Sequence, residues 1–92
     1  LDLERNVYQA YNDVINAKKS YEAATKTLEA RNQAYNFSKE RYDVGLLNAF
    51  DFSQSTNAFE NAQSEVLRTK YDYIFRTKIL EFYFGIPLIK QQ

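Results

Sequence analysis

Two series of bulky apolar residues, each stepping by seven, run away from one glycine in opposite directions, and nothing else in this chain restricts its fold so tightly. Before Gly45 come Val7, Val14, Tyr21, Leu28, Tyr35 and Tyr42; after it come Phe52, Phe59, Val66, Tyr73 and Leu80. A seven-residue spacing is the pattern of a left-handed coiled coil, whose buried seam is built from two positions of each heptad. The two series mirror each other about the glycine. In an antiparallel hairpin they meet as layers, namely Tyr42–Phe52, Tyr35–Phe59, Leu28–Val66, Tyr21–Tyr73 and Val14–Leu80. The first half also carries a small seam, Ala10, Ala17 and Ala24, with Leu3 in the same register, which turns polar at Arg31 and Ser38. A neighbouring helix can come close along that side.

The chemistry of the turn supports the same reading. No glycine or proline interrupts either long segment, and Gly45 is the only glycine before position 85. Glycine is the usual residue just past a helix end, because it takes the left-handed conformation without a Cβ penalty. Asn48 is a good N-cap for a second helix. Asp51, three positions on, can reach back to free backbone N–H groups and complements the positive end of the helix dipole. Leu47 and Phe52 hold the two positions of a hydrophobic staple. The expected fold is therefore all-α: a long antiparallel two-helix coiled-coil hairpin, with helices over about 2–43 and 49–84 and its tip around Gly45. The first helix would be ~63 Å long at 1.5 Å per residue. Gly85 and Pro87 are expected to stop the second helix and leave Ile86–Gln92 irregular.

Composition removes most catalytic chemistry. The chain of 92 residues has no cysteine and no histidine, hence no disulfide, thiol nucleophile, imidazole base or common zinc site. Its 12 basic and 12 acidic residues balance, so no electrostatic footprint points to nucleic acid or to an anionic membrane surface. Carboxylates such as Glu22 and Glu29 lie on a polar face with no cleft to hold a substrate. No phosphate-binding glycine loop or calcium loop is present. Neither an enzyme nor a cofactor or metal carrier is expected. No run approaches the roughly 18 apolar residues of a membrane-spanning helix, so direct membrane insertion is not expected either. The opening Leu1-Asp2-Leu3-Glu4-Arg5 has neither a signal-peptide layout nor a helix-start signal. It reads as the middle of a helix, and the chain as a fragment of a larger protein.

Aromatic residues make up 16% of the chain, more than one seam can cover. Helix one offers Leu1, Tyr8 and Ile15 on one flank and Ala23, Ala30, Phe37 and Val44 on the other. Helix two adds Phe50, Leu67, Ile74, Phe75 and Phe82. A hairpin hides one stripe per helix and leaves such flanks wet, which is unusual for a monomer. Each helix is expected to pack on both sides, as in a multi-helix wall or an oligomer.

With these residues in view, the chain resembles the C-terminal half of TolC-type outer-membrane efflux proteins over nearly its whole length. The resemblance rests above all on Arg41-Tyr42-Asp43-Val44-Gly45-Leu46-Leu47-Asn48-Ala49-Phe50-Asp51. It is supported by Val7-x2-Ala10-Tyr11, Asn61-Ala62-Gln63, and Tyr71-Asp72-Tyr73 leading to Leu80 and Gly85. The most specific piece is Tyr-x-x-Gly followed six residues later by Asp. In that Gram-negative family a trimer builds an outer-membrane β-barrel and a periplasmic α-helical tunnel. The tips of its helical hairpins meet the hairpins of a periplasmic adaptor, which links them to an inner-membrane pump. The resemblance implies that this chain is a single periplasmic helical hairpin of such a channel, without the barrel strands. It implies a docking tip at Tyr42, Gly45, Leu46, Leu47 and Asn48, and an aperture-lining carboxylate at Asp51, comparable to acidic rings in pores. It further implies self-association as a trimer in the parent protein. The chain departs from the family pattern in two places. Gln54 stands where many relatives carry a second acid, and Leu46 and Leu47 stand where a basic or hydroxyl residue often follows the glycine. The first weakens the case for a double acidic ring, and the second implies a more hydrophobic tip.

Two other functions fit a coiled-coil hairpin. One is an unrelated spacer or oligomerisation module; the other is the α-hairpin of a periplasmic adaptor itself, disfavoured because the tip motif belongs to the duct side. The seam tyrosines Tyr21, Tyr35 and Tyr42 are expected to be core. Arg31 and Arg76 fall at small-seam positions and are expected to seek acidic partners on a neighbouring helix.

Overall fold

The computed structural model of the chain describes residues 2–90, with side-chain surroundings for residues 2–85. Helix α1 spans Asp2–Asp43 and helix α2 spans Ala49–Lys90. Each has 42 residues, and the hairpin measures 69 × 22 × 16 Å. Among the described residues there is no strand.

The large seam closes as the mirrored heptads require. Tyr42 stacks on Phe52 with ring centres 4.6 Å apart, Tyr35 on Phe59 at 5.1 Å, and Tyr21 lies against Tyr73 at 6.3 Å. Tyr35 also reaches Phe52 at 5.8 Å, so the aromatic stack nearest the tip is continuous over two layers. Leu28, Val66, Val14 and Leu80, the residues of the aliphatic layers, are all half-buried. Among the described residues no large side chain is fully buried. Two helices cannot surround a residue on every side.

The most deeply buried residues are small and lie on the other seam. Ala10, Ala17, Ala24 and Ala62 are buried, and Thr69 is only 3% exposed. Its hydroxyl donates to the Glu65 carbonyl at 2.8 Å, so burial leaves no polar atom unpaired. On α2 this seam runs Ser55, Ala62, Thr69, Arg76, Tyr83, again seven apart. Four of its rungs are polar on at least one side, counting Arg31 opposite Ala62. Ser38 and Ser55 share a 2.8 Å hydrogen bond between hydroxyls, and Thr69 lies in the same seam as Ala24. Arg76 donates to Asp13 of α1 at 3.2 Å and to Asp72 of its own helix at 3.4 Å.

The C-terminal end of α2 differs from the expected stop near residue 84. The helix runs through Gly85 and Pro87 to Lys90, while Gln91 and Gln92, like Leu1, lie outside the described residues. Among the described glycines only Gly45 has a positive φ; Gly85 keeps the right-handed conformation. A glycine permits a left-handed stop but does not impose one. A proline removes one helical hydrogen bond and crowds the carbonyl four residues back, which can bend a helix without ending it. Gly45 ends α1 because the chain reverses there and uses its left-handed φ at once.

Candidate docking tip

The tip is a five-residue connection, Val44–Asn48, fastened at both ends by backbone and side-chain hydrogen bonds. On the α1 side the N–H of Gly45 donates to the Tyr42 carbonyl at 3.0 Å, and the N–H of Leu46 donates to the Arg41 carbonyl at 2.8 Å. With Gly45 at φ +80°, this pair of bonds is a Schellman motif, which satisfies carbonyls the helix end would otherwise leave open. On the α2 side the N–H of Asp51 donates to Asn48 Oδ1 at 2.8 Å, and Asn48 Nδ2 donates to Asp51 Oδ2 at 3.2 Å. The N–H of Phe52 donates to the Asn48 carbonyl at 3.1 Å and begins the helical ladder. Asn48 is thus the N-cap. Asp51 differs in detail from the expectation, because its carboxylate accepts from the Asn48 amide group.

Each residue singled out in the sequence takes a distinct place. Gly45 makes the reversal. Tyr42 is half of the terminal aromatic stack yet 40% exposed, and Leu46 projects into solvent at 68% exposure. Leu47 is half-buried and lines a shallow trough of about 360 Å³ on the small-seam edge, together with Ser38, Asp51, Gln54 and Ser55. Phe52 turns to Tyr42 and Tyr35. Asp51 is exposed on the wall of the trough.

Three further apolar side chains crowd this end: Phe37, Val44 and Phe50, each at least 60% exposed. Arg41 lies over the Phe37 ring at 5.6 Å, a cation–π contact at the base of the tip. The sequence pattern gives these residues only as flank positions, although Phe37 and Val44 are seven apart. Their proximity to the turn is what makes them part of the tip. The surface around Gly45 is therefore apolar, bounded by Arg41, Asp43 and Asp51. Among the described residues there is no cluster of acidic side chains that could hold a metal ion, and no helix long and apolar enough to cross a membrane.

The described residues thus form a long hairpin with a capped turn, a thin core and apolar flanks. The family comparison is specific: the model of the outer membrane efflux protein family matches residues 1–85, and the chain belongs to that family. No curated protein and no solved structure matches it. By its description, the family is one of outer-membrane efflux proteins.

Proposed function

We propose that this chain is the periplasmic helical hairpin of a larger outer-membrane channel protein. In this reading it serves as a segment of the duct wall and as the tip that docks a periplasmic adaptor. The helices stand side by side with those of neighbouring hairpins to enclose the duct. The tip couples the duct to the adaptor and, through it, to an inner-membrane pump. The mechanism is passive; substrate moves through the enclosed space. Tyr42 and Gly45 shape the tip, Asn48 holds it, and Leu46 and Leu47 offer the contact surface. Asp51, exposed one turn above, places a carboxylate where a pore constriction attracts cations.

The observation that carries this reading is the pairing of a rigidly capped turn with an exposed apolar surface. A cap that satisfies both helix ends keeps the turn in one shape. Exposed Val44, Leu46 and Phe50 then supply area that becomes favourable only when another surface covers it. A spacer needs the cap but not the apolar surface.

The test is binding of this chain to helical hairpins from candidate periplasmic adaptors, measured alongside circular dichroism. Leu46→Asp combined with Val44→Asp leaves the hydrogen bonds of the turn in place, so helicity should survive and binding should fall at least tenfold, about 1.4 kcal/mol. Binding that persists in this variant would remove the tip from the contact.

A further inference from the structure

The two broad faces of the hairpin differ in what runs along their midline near the tip. On one face the midline is the small seam, which forms a polar trough bordered by Arg31, Ser38, Asp51, Gln54 and Ser55. The trough continues away from the tip past Asn61 and Glu65, and Arg31 borders both stretches of it. On the other face the midline is the large seam, where Tyr42, Tyr35, Phe52 and Phe59 stack on one another. A hollow on that face has Leu28 and Phe59 among its walls and Asn32 and Gln63 at its rim. A bore that carries water and dissolved solutes is lined by the polar side of its wall, because apolar side chains gain by being covered with protein.

The charges along the trough are not paired with one another. Glu65 is held by Arg68 of its own helix. Asp51 accepts only from the neutral amide of Asn48 and keeps its charge uncompensated. Arg31 is exposed and forms no ion pair among the described residues. The Ser38–Ser55 hydrogen bond sets those two residues level. Arg31 lies seven residues beyond Ser38 and Asp51 four residues tipward of Ser55, which separates them by about 16 Å along the axis at 1.5 Å per residue. This is about two screening lengths at physiological salt, so each charge acts on a passing solute separately.

We propose that the small-seam face lines the bore of the duct and that Arg31 is a selectivity residue there. It sets a basic zone behind the acidic zone of Asp51, offsets the preference for cations that Asp51 alone would give, and admits solutes bearing a carboxylate or other anionic group. The inference rests on the duct-wall reading above and adds to it which face meets the solute and which residue tunes its passage. The tip contact plays no part in it.

The experiment is current measurement through the parent channel in planar lipid bilayers under a salt gradient. A unit charge acting through water over about 10 Å changes local ion occupancy about twofold. Arg31→Gln should therefore raise the cation-to-anion permeability ratio about twofold, read as a shifted reversal potential, and Arg31→Glu should raise it further. Arg31→Lys keeps the charge and should keep the wild-type ratio. The face is tested with single cysteines, since this chain has none of its own, in a parent with no other cysteine. Ala34→Cys places a thiol in the trough and Asn32→Cys places one on the aromatic face. A charged thiol reagent should reduce the current through Ala34→Cys and leave that through Asn32→Cys unchanged. A current that responds at Asn32 and not at Ala34 would turn the other face to the bore and overturn the proposal, while the duct-wall reading stands. Reversal potentials of Arg31→Gln and Arg31→Glu that match the wild type would overturn it equally. A current indifferent to the reagent at both positions would remove the hairpin from the duct wall, and the duct-wall reading would fall with the proposal.

Discussion

Phe52 is clasped between two tyrosines of the other helix, 4.6 Å from Tyr42 at an interplanar angle of 12° and 5.8 Å from Tyr35 at 25°. It is the first seam residue of α2 and sits in the turn's first helical loop, so it ties the tip to the coiled coil. Truncating a buried phenylalanine to alanine costs about 3–5 kcal/mol, and Phe52 is half-buried. Phe52→Ala is expected to destabilise the hairpin by about 2 kcal/mol, read as a lower thermal midpoint at 222 nm. Tyr42→Phe keeps the stacked ring and should leave the midpoint nearly unchanged. If Tyr42→Phe were as damaging as Phe52→Ala, the hydroxyl and not the stack would hold this end.

Gly45→Ala isolates backbone conformation from packing. A Cβ built there meets nothing within 4 Å, yet the residue sits at φ +80°. A left-handed L-residue costs about 1–2 kcal/mol, and part of this returns because alanine restricts the unfolded chain. The expected loss is about 1 kcal/mol by chemical denaturation, with Gly45→Asn smaller, since asparagine tolerates this region better. Gly45→Pro should be far worse, because proline fixes a negative φ and removes the N–H that bonds the Tyr42 carbonyl. Equal effects of alanine and proline would contradict this account.

The small seam predicts opposite outcomes for two similar changes. Ala24 and Thr69 are 7% and 3% exposed in the same seam. Ala24→Leu inserts bulk at a buried position and should cost about 1–3 kcal/mol. Thr69→Val keeps the volume and deletes only a hydroxyl bonded to its own helix, a bond that helps neither the helix nor its partner. It should be close to neutral in the same unfolding experiment. Were Ala24→Leu neutral as well, the seam would be looser than its burial indicates.

The architecture was legible because heptads, a glycine and an N-cap act locally and agree with one another. Tyr42–Phe52, Tyr35–Phe59 and Tyr21–Tyr73 could be paired from spacing alone. The Schellman bonds and the Asn48 cap follow from residue type. Less legible was the small seam of α2, because Ser55 and Thr69 are not apolar and break the binary pattern that makes a seam visible, although Arg76 could be placed on it. The end of α2 departs from the sequence pattern for the converse reason. Gly85 and Pro87 are strong local signals, but neither obliges a helix to stop. The apolar tip was half legible. Leu46 and Leu47 announce themselves beside the glycine, whereas Phe37, Val44 and Phe50 join them only once the hairpin has formed.

Arg76 occupies a seam position where Ala10, Ala17 and Ala24 set the scale on the facing helix, and it is accommodated by turning its guanidinium outward. Its contact to Asp13 at 3.2 Å joins the two helices at the seam's edge, while Asp72, at 3.4 Å on its own helix, holds the guanidinium from the other side. Both ends of the interhelical pair remain partly exposed, 41% for Arg76 and 31% for Asp13. Solvent therefore screens the attraction, and exposed pairs of this kind contribute about 0.2–1 kcal/mol. Asp13→Asn should lower stability by about 0.5 kcal/mol at low salt and by less at 1 M salt, where the screening length falls to about 3 Å. Arg76→Leu separates charge from packing. It loses the same ion pair but extends the apolar seam, so its stability should match or exceed that of Asp13→Asn under both conditions. An Asp13→Asn effect that does not change with salt would mean that Asp13 acts through hydrogen bonding within α1, where Gln9 already donates to it at 3.0 Å, and not through Arg76.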